Sequence, residues 1–332
     1  MKRALSSVPA ILATLAALFL LLVYVAQHAR PSTEAVRLRN ALLWSATTPM
    51  AAIDWTPANP PADYLVDAAA APNPAFDRVA AELKLAALPT DWDRAVAISR
   101  HLLDNPRKGD AAQDDLAGTY RKILQGSGYC ADYTTTFIAI ARAAGMFVRE
   151  WAFSFDGYGG HGHAFVELYD RQAKRWRFID PFNNFYVVDA GSREPLSAAE
   201  WRAVLRGDGR QIAIVKPAPG RLGFRNELDL YEYYKNGADQ WYLWWGNAVQ
   251  RYDDSFAVQQ LGRLSRSLEQ LGAIVLGVHP RIHAVESDTN GPMRERMASL
   301  KTKLLAAFAG GIALAALLLG QLLMRRRRAR RG

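Results

Sequence analysis

Three side chains whose types suit acyl transfer stand in order along the 332-residue chain: Cys130, His163 and Asp180. The thiolate is the nucleophilic form of cysteine. It needs a base, and the base needs an acceptor to orient it. Cys130 follows the glycine loop Gly126-Ser127-Gly128 and opens a stretch, 130–144, that reads as a helix with Tyr133, Phe137, Ile140 and Ala144 on one side and Gly145 as its stop. The free N–H groups and dipole of a helix start favour a thiolate there, and the same N–H groups hold an oxyanion. Cys130 is the only cysteine, so no intrachain disulfide and no cysteine-rich metal site can form. A solitary cysteine is ordinarily a small buried hydrophobe; here the neighbours argue otherwise.

The elements around the other two residues explain how they meet the first. Residues 146–155, 162–169 and 175–179 alternate like strands, and the polar gap 170–174 joins the last two as an antiparallel hairpin. A turn centred near Gln172 and Ala173 pairs residues whose numbers sum to about 345, which makes His163 and Asp180 diagonal neighbours. His163, Phe165, Glu167 and Tyr169 share one face; Trp176, Phe178 and Asp180 share one on the partner strand. A helix laid across that sheet brings Cys130 to the imidazole. One helix on a small antiparallel sheet is an α+β fold.

The runs GSGYCADYTTTFIAIARAAGM, GHAFVELYD and WRFIDPFNN resemble the core of the transglutaminase-like superfamily over roughly residues 94–190. The resemblance implies a papain-like fold in which the cysteine opens a helix, the histidine starts one strand and the aspartate, followed here by Pro181, ends the next. Phe165 stands where the family often has tryptophan. Members use a thiolate to form an acyl-enzyme that water, an amine or another nucleophile resolves, so hydrolysis and transfer both stay open. That chemistry requires no cofactor. Bacterial relatives with membrane anchors resemble cell-envelope proteins.

Weaker candidates surround the three. Gln125 is placed as an oxyanion donor like the glutamine upstream of the nucleophile in papain-like enzymes, although its spacing is inexact. Tyr129 adjoins the nucleophile and would shape the acyl pocket. His161 reads as a loop residue lining the site, and Asp132 as a helix cap. The aromatic run Tyr231, Tyr233, Tyr234, Trp241, Tyr242, Trp244 and Trp245 reads as core or interfacial packing rather than a sugar platform. His279 and His283, interrupted by Pro280 and lacking an acidic partner, read as a loop and not a metal site.

The formal charge of +9 first suggests nucleic acid, but its distribution removes that reading. Lys2, Arg3, Arg325 to Arg328, Arg330 and Arg331 hold eight of those charges at the two tips. The part between is near neutral and has no basic stripe. Residues 8–26 form an uncharged apolar run long enough to span a bilayer, with a cleaved signal peptide as the rival reading. Residues 304–324 form a second run, met at once by the arginine tail. The tail places both termini in the cytoplasm of a bacterial inner membrane and the domain on the periplasmic side. Arg294, Arg296, Lys301 and Lys303 run against that rule.

The expected organisation is an anchor at 1–29, an Ala/Pro-rich linker with short helices at 30–93 and a transglutaminase-like core at 94–190. A mostly helical accessory region at 191–303, a span at 304–324 and an Arg-rich tail at 325–332 complete it. The expected partners are a lipid bilayer, a peptide- or amide-bearing envelope substrate and envelope assembly proteins. The rival function is a non-catalytic binding module of an envelope or polysaccharide assembly. A third reading places the domain in the cytosol.

Overall fold

The computed structural model describes residues 8–28, 32–67, 73–105, 109–112 and 114–330. Lys2, Arg3 and Arg331 lie outside them. The chain enters through helices α1 (Val8–His28) and α2 (Ser32–Leu43) and strand β1 (Trp44–Thr48). Helices α3 (Pro74–Glu82), α4 (Asp91–Leu102), α5 (Leu116–Leu124) and α6 (Cys130–Ala143) precede strands β2 (Val148–Ser154), β3 (Gly162–Asp170), β4 (Arg175–Ile179) and β5 (Tyr186–Asp189). Next come α7 (Ala198–Leu205), β6 (Ile212–Val215), α8 (Glu227–Gly237) and β7 (Trp241–Trp245). The chain closes with α9 (Val249–Asp253), α10 (Phe256–Leu264), α11 (Arg266–Val275), β8 (Arg281–Val285) and α12 (Gly291–Ala329).

The fold is α+β, built on a six-stranded sheet in the order β1-β8-β7-β2-β3-β4, with β5 and β6 forming a separate pair. Side chains alternate across a strand, so each central strand feeds two cores. Val166 and Leu168 join Phe137 and Ile140 of α6 on one side. Phe165 and Phe178 join Trp201 of α7, Tyr234 of α8 and Trp241 on the other. Trp151, Trp201, Trp241, Phe165 and Phe178 are fully buried. Each contributes about 1.5–3 kcal/mol of transfer free energy.

The caps and the hairpin follow the sequence. Thr90 caps α4 through its side chain to Asp93 N at 3.0 Å, and Ser197 with Glu200 forms a capping box on α7. Val166 pairs with Ile179 and Glu167 with Phe178, the register the turn position implies.

Other elements depart from expectation. The sheet is larger and mixed, because β1, from the region read as a linker, pairs in parallel with β8. β7 and β8 lie in the region read as mostly helical. Every residue of β7 is buried, so Trp241–Trp245 offers no polar–apolar alternation to mark a strand. Between β7 and β8, α10 and α11 are separated by a break at Ser265, whose hydroxyl accepts from Leu268 N at 3.1 Å. His283 is on β8 rather than in a loop: its ring stacks on Trp245 at 3.7 Å, and Nδ1 lies 3.1 Å from the Thr48 hydroxyl.

Helices α1 and α12 are each long and apolar enough to cross a membrane, and neither is packed inside the protein. They run antiparallel, with Thr14 bonded to Gln321 at 3.2–3.3 Å and Leu21 beside Gly311. α12 continues without a break from the globular part, where Met297 is buried against Trp44 and Ile282.

The β2–β3 pairing leaves no room at Gly162, where a Cβ would stand 2.0 Å from the Phe153 carbonyl oxygen. Gly162→Ala is expected to cost about 1–3 kcal/mol by overpacking, read as a lower urea midpoint in mild detergent. An unchanged midpoint would contradict this account of the approach to His163.

Candidate active site

Cys130 is the first residue of α6, and the turn before it is made by glycines. Gly126 and Gly128 take φ of 94° and 110°, a region costly for other residues. Gly128 N donates to Asp110 O at 2.7 Å, and Gly109 N to Gly126 O at 2.8 Å, which ties the loop down. Asp132 does cap the helix: its Oδ2 accepts from Tyr129 N at 2.8 Å and from Ala112 N at 3.2 Å. The first-turn N–H groups of a helix have no intrahelical acceptor, so those at the start of α6 lie free beside the thiol.

His163 opens β3, paired with Phe153 of β2. Its Nε2 lies 2.7 Å from Asp180 Oδ2. Cys130 is near enough to favour the charged form of the same imidazole. With Nε2 committed to Asp180, Nδ1 is the nitrogen available to the thiol. The rings of Phe153, Phe182, Tyr233 and Tyr234 surround the imidazole at centroid distances of 5.7–5.9 Å. This aromatic box excludes water and leaves the polar groups inside to one another.

Asp180 is held from five directions. Oδ1 accepts from Phe182 N at 2.9 Å and Asn183 N at 3.0 Å. Oδ2 accepts from His163, from Asn183 Nδ2 at 2.8 Å and from the Tyr234 hydroxyl at 2.7 Å. The loop it begins is closed by the backbone pair between Asp180 and Phe185. Asp180 is fully buried, and a buried carboxylate without partners would be untenable.

Burial opposes charge on both members of the pair, and in both the partners win. The Asp180 charge and the hydrogen bond that His163 donates to Asp180, with a lesser influence from Cys130, lift His163 above the usual imidazole value. His163, Tyr234 and the Asn183 N–H hold Asp180 below the usual carboxylate value. Burial first, then the Asp180 charge, pushes the Tyr234 phenol well up, so it stays a donor. At neutral pH the pair is imidazolium and carboxylate.

The structure brings Cys130, His163 and Asp180 together. Tyr129 flanks the thiol and is 55 % exposed. Gln125 is exposed at the end of α5, and His161 is exposed on the β2–β3 loop. Neither side chain bonds to the three central residues. The sequence reading missed Asn183 and Tyr234. An aspartate followed three residues later by asparagine, across a proline, is a turn signal that points to the first. Nothing local marks Tyr234, which arrives from α8, 54 positions after Asp180.

A thiol at a helix start, an imidazole and an orienting carboxylate, on a helix packed against an antiparallel hairpin, are the group types that cysteine-centred acyl transfer requires. In agreement, residues 78–181 match the family model of the transglutaminase-like superfamily, so the chain carries a transglutaminase-like domain over about a third of its length. No curated protein and no solved structure matches it.

Two measurements test the electrostatics. Tyr234→Phe removes a donor to a buried charge and should cost about 1.5–3 kcal/mol in chemical unfolding. His163 has a raised pKa, so its contribution is complete below about 6.5, the free imidazole value, and is lost as pH rises through the folded value. Asp180 is depressed, so its contribution is lost only at acid pH, below the free value of about 3.9. The Tm gap between wild type and His163→Ala should therefore be widest near pH 5–6.5 and shrink on the alkaline side. A gap growing with pH would reverse the assignment.

Proposed function

We propose that the protein is a membrane-anchored cysteine acyl-transfer enzyme whose catalytic domain faces the outer side of a bacterial inner membrane. The buried His163–Asp180 bond, with Cys130 on the same imidazole, carries this reading. α1 and α12 serve as the anchors in this reading, and their antiparallel packing supports a topology with both outer helix ends on one side.

In the reaction the Cys130 thiolate attacks the carbonyl carbon of a peptide, isopeptide or other amide. The carbonyl oxygen takes the negative charge and is met by the first-turn N–H groups of α6. His163 gives its proton to the departing amine as the carbon–nitrogen bond breaks, leaving a thioester on Cys130 and a neutral imidazole. An incoming water or amine then attacks the thioester and loses a proton to His163, and the Cys130 thiolate departs. Asp180 keeps the ring oriented and stabilises its charged form, while Asn183 and Tyr234 keep Asp180 in place. The domain acts as hydrolase or transferase according to which acceptor reaches the thioester.

The first test is alkylation of Cys130 by iodoacetamide in the full chain across pH. His163→Ala should slow it at least about tenfold at neutral pH. An equally slow thiol in both proteins would leave a binding module, not an enzyme. Topology has its own test, a reporter active only outside the cytoplasm. Fused after residue 289 it should be active, and after residue 330 inactive; the reverse would put the domain in the cytosol.

A further inference from the structure

A cavity of about 410 Å³ lies between α2, the β2–β3 loop and the first turns of α12. Its apolar wall is Phe155 with Met293, Met297 and Leu300. On α12 these last three, with Leu304, recur at the spacing of one helical face and lead straight into the apolar span. Phe155 also contacts Tyr233 at 5.1 Å, and Tyr233 contacts His163 at 5.8 Å. A single aromatic pair thus separates the cavity from the candidate active site.

The polar part of the wall holds two arginines, the Gln240 amide and one carboxylate, Asp156. Arg37 is already engaged by Glu34 at 2.6 Å and by the Asp156 carbonyl. Asp156 is occupied by Ser154, by Gly159 N and by Arg37. Two lining groups keep donors without a described acceptor or ion-pair partner. Gln240 is 9 % exposed; its Oε1 accepts from Gly157 N at 2.7 Å, and its Nε2 finds no acceptor among the described residues. Arg296 has no ion-pair partner among them either. Lys303, outside the cavity lining, follows Arg296 by seven positions, on the same face of α12 and about two turns nearer the span.

We propose that this cavity binds a phosphate-headed amphiphile from the bilayer surface, next to the acyl-transfer site. The head meets Arg296 and the Gln240 amide; the tail lies along Met293, Met297 and Leu300. This rests on reading α12 as a span. It also gives a use to basic residues that stand on the wrong side for the charge rule of membrane orientation. A phosphate sited there offsets them and holds a lipid-borne substrate beside Cys130.

The test is calorimetric titration of hexyl phosphate into the full chain in neutral maltoside micelles, with inorganic phosphate and hexanol as separate arms. Hexyl phosphate should bind, Arg296→Glu should weaken it at least tenfold, and each half-ligand alone should bind at least tenfold more weakly. Leu300→Trp, which occupies the tail region, should also abolish binding. Inorganic phosphate binding as tightly as hexyl phosphate would overturn the amphiphile, since the site would then serve a free anion. Hexanol binding as tightly would overturn the role of the head. Undiminished binding to Arg296→Glu would overturn the site. Cys130→Ala should bind as wild type does, so a failure of the enzyme reading, seen by alkylation, is distinguishable from a failure here.

Discussion

A carboxylate with no solvent contact sits at the junction of both cores, and much of the molecule is arranged to keep it charged. Asp180 ends β4, its loop turns back so that two backbone N–H groups reach Oδ1, and α8 delivers a hydroxyl to Oδ2. Removing any donor leaves an under-satisfied charge in a medium that screens poorly. The return is an imidazole fixed in one orientation and biased toward its cation. That is the state in which it can stabilise a neighbouring thiolate and later release a proton.

The same constraint explains why the domain extends beyond the segment that matches the transglutaminase-like model. Residues 78–181 contain the thiol, the imidazole and the carboxylate, but not Asn183, Tyr233 or Tyr234, nor strands β7 and β8. Trp241 of β7 stacks near Phe153 and Phe165, directly behind the imidazole. The later part of the chain therefore completes the site.

What was legible in the sequence was whatever local chemistry decides. The α6 start is written in Gly126, Gly128 and Asp132; the β3–β4 register in the polar turn; the caps in Thr90 and Ser197. The candidate triad follows, because two of its members share one hairpin. What was not legible depended on partners distant in the chain. β7 has no period because both faces are buried, β1 is a five-residue edge strand whose assignment needs β8, and Tyr234 resembles any other core aromatic until α8 is docked. The break at Ser265 is a local feature, a serine cap inside an otherwise continuous amphipathic pattern.

The unbroken course of α12 has a consequence for how substrates are found. At about 1.5 Å per residue its 39 residues extend roughly 58 Å. The turns before the apolar run are packed on the domain, so no flexible linker intervenes. With the apolar run in a bilayer, the thiol keeps one altitude and one heading relative to the surface. Molecules carried in the membrane then meet it by a search in two dimensions, at high effective concentration. Those free in solution gain nothing from the anchor, so selectivity begins with where a molecule resides, before any pocket has touched it.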